Sequence, residues 1–186
     1  MIDKDFTPLF HVLSSEQQIL QRTDQKAFTI LSILGVFMVF FMIHFTKMKF
    51  NWFIFIMTII YFLSALLTII QLVLVIVPRI RKDKFSTKKR PENPTFFAGI
   101  SKFSTPESYA AHLQKISKDP EKVYQLFATQ VFSLGKINQY KNIAMKRAIL
   151  FFVAAITAEL IIIMSLAWTI AMGWLQTVSD VGTSIL

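Results

Sequence analysis

The chain is short of the residues on which most catalytic and metal sites depend. Its 186 residues include no cysteine and only five glycines. The lack of cysteine excludes disulfides, a thiolate nucleophile and cysteine-based zinc sites. The scattered glycines cannot form a glycine-rich phosphate loop. The three histidines, His11, His44 and His112, have no acidic side chain at ligand spacing. We therefore expect no catalytic residues, no metal site and no cofactor.

Charged residues are also scarce, at 17% of the chain, against roughly 25% in a typical soluble domain. Apolar residues make up 54% and are concentrated in three runs, 27–45, 51–77 and 149–175. Each run reaches the roughly 20 residues needed to cross a membrane. The sequence therefore predicts an all-α integral membrane bundle, with three transmembrane helices extended into a cytoplasmic helical segment.

The distribution of basic residues predicts the orientation of the spans. Residues 79–148 carry fifteen of the twenty lysines and arginines, and basic segments remain on the cytoplasmic side. This segment and residues 1–26 are then cytoplasmic, whereas the 46–50 turn and the 176–186 tail lie outside. The net charge of +9 in such an apolar chain indicates a membrane partner rather than nucleic acid.

The segments outside the spans have local signals of their own. Residues 1–26 form an amphipathic pattern that should continue unbroken into the first span. Residues 79–95 form a charged linker, and we expect its first basic cluster to contact anionic lipid; the cluster comprises Arg79, Arg81, Lys82 and Lys84. Residues 95–100 suggest a docked loop.

Two helix starts follow in the basic segment. The sequence Ser104-Thr105-Pro106-Glu107 has the form of a capping box. The sequence Asp119-Pro120-Glu121 supplies an N-cap, a proline for the first helical position and an acid for the first turn. From there a helical pattern continues into the third span without another proline.

The spans contain one acidic residue, Glu159, near the centre of the third. A charged side chain there costs at least about 2.5–3.5 kcal/mol, so such a residue is a functional candidate that faces the bundle interior. The alternative is a protonated glutamic acid that joins two helices by a hydrogen bond.

Span two offers a polar face at helical spacing, and Gln71 is a second candidate on it. The face comprises Tyr61, Ser64, Thr68 and Gln71. Small residues four apart in span three, Ala154/Ala158 and Ala167/Ala171, are suited to close helix packing. This pattern is also compatible with a homo-oligomer.

An ordered set of short motifs around the spans resembles the Pycsar effector transmembrane family, PycTM. The set covers residues 18–152 and comprises Arg22-Thr23-Asp24-Gln25-Lys26-Ala27, Pro78-Arg79, Asn93, Phe96-Phe97-Ala98-Gly99-Ile100, Tyr109, Gln130, Ser133, Lys136-Ile137 and Tyr140-Lys141. One departure is that Ala98 precedes Gly99, whereas in the family pattern glycine directly follows the paired phenylalanines.

The resemblance implies an antiphage defence effector of the bacterial inner membrane. Such an effector binds a cyclic nucleotide, here expected to be a cyclic pyrimidine monophosphate from a cyclase encoded nearby, and then impairs the membrane and kills the cell. Basic and aromatic side chains suit a phosphate and a flat base. The candidate ligand-binding residues are Arg22, Asp24, Lys26, Phe96, Phe97, Tyr109, Lys136, Tyr140 and Lys141.

Other interpretations of the same residues stay open at this point. The charged candidates could instead cap the bundle with interhelical ion pairs. The chain could be a small channel or transporter subunit that uses Glu159 as an ion or proton site. It could also be a structural membrane adaptor whose basic segment recruits a partner or lipid.

Overall fold

The computed structural model describes residues 6–45, 51–77, 94 and 97–183, with the backbone alone at 97, 98 and 178–183. All regular structure in these ranges is helical, so the prediction of an all-α fold is confirmed. The five helices are α1 (Thr7–Phe45), α2 (Trp52–Ile76), α3 (Phe97–Ile100), α4 (Pro106–Ser117) and α5 (Pro120–Thr183).

Three of these helices, α1, α2 and α5, are long and apolar enough to cross a membrane. Large apolar side chains lie exposed along all three, as expected for helices whose surroundings are lipid rather than water. Examples are Val36, Trp52, Leu150, Met164 and Trp174. α1 is continuous from the amphipathic segment into the first apolar run, because no proline follows Pro8 within it.

The start of α5 is the one that the sequence predicts. Asp119 precedes Pro120, the first helical residue. Its Oδ1 atom accepts hydrogen bonds from the backbone N–H groups of Glu121 at 3.1 Å and Lys122 at 3.3 Å. These bonds satisfy two of the donors that a helix start leaves unpaired.

The helix start predicted at Ser104-Thr105-Pro106-Glu107 is confirmed. The N-cap of α4 is Thr105, whose Oγ1 accepts from the Ser108 N–H at 3.2 Å. The loop prediction that precedes it is wrong in part. The expected loop over 95–100 contains the helical turn α3. No proline lies within that turn to prevent it. The 46–50 turn and, apart from Pro94, the linker over 79–95 lie outside the described residues.

The chain divides into two compact units. Unit 1 comprises Met1–Asp24 and Val77–Asn142, and unit 2 comprises Gln25–Ile76 and Ile143–Leu186. Along the chain, α1 and α5 each contribute to both units. α2 lies entirely in unit 2, whereas α3 and α4 belong to unit 1.

Unit 2 is built from apolar contacts among α1, α2 and α5. One cluster contains Leu34, Phe41, Ile54, Tyr61, Ala65, Ala155, Ala158 and Ile162. A second contains Ala27, Leu72, Val75, Met145 and Ala148. From the second cluster to the first, residue numbers rise along α1 and α5 but fall along α2. In this unit α2 therefore runs antiparallel to the other two helices.

Of the predicted alanine pairs, only Ala158 lies at a close helix contact, together with Ala148 and Ala155. Ala148, Ala155 and Ala158 are buried, whereas Ala154 is exposed. The pair Ala167/Ala171 is exposed as well. Each residue step turns a helix by about 100°, so spacing alone cannot distinguish Ala154 from Ala155 as the inward position.

Unit 1 joins the first part of α1 to the first part of α5. The Phe6 and Tyr124 rings lie 6.3 Å apart, and the Phe10 and Phe127 rings 4.9 Å apart. Because residue numbers rise together, these helix segments run parallel. α4 has the face expected for it, since its half-buried side chains are Tyr109, Leu113 and Ile116.

Candidate functional site

Two of the candidate ligand-binding residues meet in unit 1. The Lys141 ammonium group donates to Asp24 Oδ1 at 2.5 Å. Lys141 is only 7% exposed as a residue, while the Asp24 side chain is 31% exposed. A buried ammonium group needs a partner, and Asp24 supplies it from the facing helix. The two charges come together because α1 and α5 run side by side in this unit.

A second polar contact lies beside this ion pair on the same two helix segments. Asn138 Nδ2 donates to the backbone carbonyl of Glu16 at 2.9 Å and to its Oε2 at 2.6 Å. These acceptors determine which end of the amide is the nitrogen. Among the described residues, the buried Asn138 Oδ1 has no hydrogen-bond partner. This oxygen is an acceptor open to a donor from outside the described chain.

The sequence analysis did not name Glu16 or Asn138. Asn138 lies three residues before Lys141, and residues three apart share a helix face. That spacing was the one available signal for Asn138. The partner on α1 could not be predicted, since spacing within one helix does not reveal the register of its neighbour.

The other basic candidates lie at the surface. Arg22, Lys26 and Lys136 are exposed, with Arg22 and Lys136 in unit 1 and Lys26 in the unit 2 part of α1. The Lys136 ammonium lies 5.7 Å from the centre of the Phe132 ring, one turn earlier on α5. Tyr140 is also mostly exposed.

Of the four aromatic candidates, Tyr109 and Tyr140 are the two whose side chains the structure describes. The Tyr109 hydroxyl donates to the Pro94 carbonyl at 3.1 Å, and its ring packs edge-on against Phe103 at 5.2 Å. Tyr109 therefore connects α4 to the end of the linker. Phe96 lies outside the described residues, as does the side chain of Phe97.

The membrane candidate Glu159 lies in the core of unit 2. It is 1% exposed, and Tyr61 on α2 is fully buried. The Glu159 carboxyl and the Tyr61 hydroxyl are close enough to interact electrostatically. Within the described part of the chain, neither the Tyr61 hydroxyl nor either carboxyl oxygen has a hydrogen-bond partner. The two groups face each other from α2 and α5, and the interhelical hydrogen bond between these helices stays a prediction.

Gln71, the other membrane candidate, is half-buried on α2. It belongs to the predicted polar face, whose other members, Tyr61, Ser64 and Thr68, are all buried. The Thr68 hydroxyl donates to the Ser64 carbonyl within its own helix at 2.8 Å. In the described ranges no three histidine, aspartate or glutamate side chains come close enough to hold a metal ion.

A comparison with protein families matches this chain to PycTM, the Pycsar effector protein domain, over residues 9–171. The match spans both units and includes the Asp24–Lys141 pair and Glu159. The chain belongs to the Pycsar effector family. Searches of curated proteins and of solved structures found no match.

The match to the Pycsar effectors confirms the family resemblance found in the sequence. The family and the three span-like helices identify a membrane effector of antiviral defence. The family is one of effectors rather than of enzymes, and its members respond to a cyclic nucleotide signal from a cyclase system.

Proposed function

We propose that this Pycsar effector binds a cyclic nucleotide through unit 1 and then impairs the integrity of the bacterial inner membrane, which kills the infected cell. The observation that carries the proposal is the polar cluster of Glu16, Asp24, Asn138 and Lys141. It lies within a matched effector domain and joins the two helices that continue along the chain into the apolar runs.

The chemistry of this polar cluster suits a nucleotide monophosphate. A phosphate competes with the Asp24 carboxylate for the Lys141 ammonium, and charge-assisted bonds of this kind are strong. The open Asn138 Oδ1 accepts from a base amino group or a ribose hydroxyl. Arg22 and Lys136 add positive charge at the surface of the same unit. A cyclic pyrimidine monophosphate is the ligand we expect.

The gating step follows from the contact that the ligand replaces. When a phosphate takes Lys141, the link from α5 to Asp24 on α1 is lost in unit 1. Because α1 and α5 are continuous helices, we propose that this change alters the packing or oligomerisation of the spans in unit 2. A homo-oligomer then forms the membrane lesion.

The orientation we propose places the N-terminus and the basic segment 79–148 in the cytoplasm, where a cyclase encoded nearby delivers the nucleotide. The C-terminus lies outside, and the basic cluster after Pro78 contacts anionic lipid. The absence of cysteine makes this testable by single-cysteine labelling. Asn51→Cys should react with an impermeant maleimide in intact spheroplasts. Ser117→Cys should react only after lysis, and the reverse pattern would refute this topology.

The test of ligand binding is a thermal-shift series on the detergent-purified full chain. The probes are cyclic CMP, cyclic UMP, cyclic AMP, cyclic GMP and cyclic oligonucleotides. A ligand at 100 times its Kd stabilises by about 2.7 kcal/mol, so one cyclic pyrimidine should raise Tm. Lys136→Ala should weaken the shift. The matched control is Lys115→Ala, which removes an exposed lysine on α4 and should leave the shift unchanged.

The same probes test the membrane step in dye-loaded vesicles that contain the purified protein. The nucleotide that raises Tm should release the dye, and the others should not. No Tm shift with any probe would refute nucleotide sensing by this chain. A shift without dye release would refute the membrane-disrupting step alone.

A further inference from the structure

Glu159 is set apart from the other acidic residues by its surroundings in unit 2. The buried residues nearest to it on α5 are Ala155, Ala158 and Ile162, while Leu160 and Met164 are exposed. Its side chain thus belongs to the inward face of α5 rather than to the face directed at lipid. No other Asp or Glu occurs in the runs 27–45, 51–77 and 149–175.

The core cluster that contains Tyr61 is otherwise built from apolar side chains of α1, α2 and α5. α1 contributes Leu34 and Phe41 to this cluster, and α2 contributes Ile54, Tyr61 and Ala65. Tyr61 is the one titratable side chain that faces the carboxyl from the described parts of α1, α2 and α5. Tyr61 is itself fixed by stacking on Phe41, with ring centres 4.6 Å apart.

A carboxylate without a cation or hydrogen-bond donor is strongly disfavoured in such surroundings. Both carboxyl oxygens of Glu159 are buried and unpartnered, and an apolar core of this kind favours the neutral carboxylic acid over the carboxylate. Separation of α2 from α5 would bring water to Glu159, Tyr61 and the adjoining hydroxyl groups of α2. In water, a glutamic acid loses its proton at neutral pH.

We propose that Glu159 binds a proton in the packed state of unit 2 and becomes the cation-attracting carboxylate of the membrane part when the spans separate. Acidic side chains that line a pore select cations over anions. The first half of this proposal depends only on the packing of unit 2. The second half rests on the proposed function, because it needs an open state.

The first half is tested without nucleotide, by thermal unfolding of the full chain in detergent at acidic and at alkaline pH. Rising pH favours the carboxylate, which is unpaired in the packed core, so the wild type should lose stability at alkaline pH. Glu159→Gln should remove that part of the loss, and Glu159→Asp should retain it. An identical pH dependence in the wild type and Glu159→Gln would overturn the proton-binding role.

The second half is tested in planar bilayers under a KCl gradient, with cyclic CMP and cyclic UMP as the added probes. The wild-type current should reverse at a cation-selective potential. Glu159→Gln should conduct with a reversal potential near zero, and Glu159→Asp should restore selectivity. A non-selective wild-type current, or unchanged selectivity in Glu159→Gln, would overturn this half. Absence of current in the wild type would overturn the proposed function and the second half of this proposal. The first half, which is tested by the pH dependence of unfolding, would stand.

Discussion

Unit 1 and unit 2 use the same two long helices but hold them with different chemistry. In unit 1, α1 meets α5 through aromatic rings, the Asp24–Lys141 ion pair and the Asn138–Glu16 hydrogen bonds. In unit 2, the contacts are apolar, and the polar groups of Tyr61 and Glu159 have no partner among the described residues.

The ligand-driven change that we propose for the spans depends on this difference between the two units. A ligand of similar chemistry can replace one partner of a polar contact when the other partner is partly exposed. The ligand then bonds to the buried group, and water bonds to the exposed group that has been released. Apolar helix contacts depend on shape and have no such replacement. This contrast is the basis on which we propose unit 1 for the ligand site and unit 2 for the response of the spans.

The largest effect should come from Tyr61 in unit 2. Tyr61→Ala removes a fully buried ring that stacks on Phe41, and aromatic-to-alanine changes in a core cost about 3–5 kcal/mol. Tyr61→Phe should be nearly neutral, since the hydroxyl it removes has no partner. Denaturation in detergent micelles measures both. A large loss in Tyr61→Phe would mean that unit 2 depends on a polar contact after all.

The next effect concerns the ion pair of unit 1. Asp24→Asn leaves the buried Lys141 ammonium without its carboxylate, and we expect a loss of about 1.5–3 kcal/mol. The double variant Asp24→Asn, Lys141→Met should recover part of this loss, because the unpaired buried charge is removed. A double-mutant cycle of unfolding free energies measures the coupling. Additive losses would show that the two side chains do not interact.

A smaller or similar effect should distinguish two neighbouring alanines in unit 2. Ala155→Leu adds volume at a buried contact and should cost about 1–3 kcal/mol. Ala154→Leu is the matched control, since Ala154 is exposed on the same turn. Unfolding midpoints of both variants in one detergent provide the comparison. Equal destabilisation would refute the rotation of α5 described here.

The smallest effect should come from the cap of α5 in unit 1. Hydrogen bonds from the Lys122 side chain and backbone N–H lower the pKa of the Asp119 carboxyl. The stabilisation is therefore present above the pKa of the unfolded state and is lost as pH falls through the lower folded pKa. Asp119→Ala should remove this acid-dependent part of Tm, with Glu107→Gln as a control on α4. An unchanged acid profile would contradict the capping role.

The sequence predicted much of the local structure because local structure follows local rules. Asp119-Pro120 indicated the start of α5, and the spacing of Tyr61, Ser64 and Thr68 indicated the buried face of α2. The candidate pair Asp24 and Lys141 was also among the residues named from the family motifs. Their roles in ligand binding remain predictions, as do those of the other candidates.

The contacts between helices were harder to predict. Glu16 and Asn138 were missed because neither residue has a distinctive motif and their partner choice depends on register. The Ala154/Ala158 spacing was compatible with close packing but did not reveal the rotation of the helix. The contact between Asn138 and Glu16 joins residues 122 positions apart in the chain, and the rotation of α5 depends on packing against α1 and α2.

The sequence by itself determined the all-helical class, the three apolar helices and the acidic residue within the third. Hydrophobic run length and helix caps are properties of neighbouring residues, so they can be read from the chain alone. Only the tertiary structure decided that Lys141 meets Asp24, that Ala155 rather than Ala154 faces inward, and that Glu159 is buried beside Tyr61. The physical reason is that helix rotation and register are settled by side-chain packing across the whole interface.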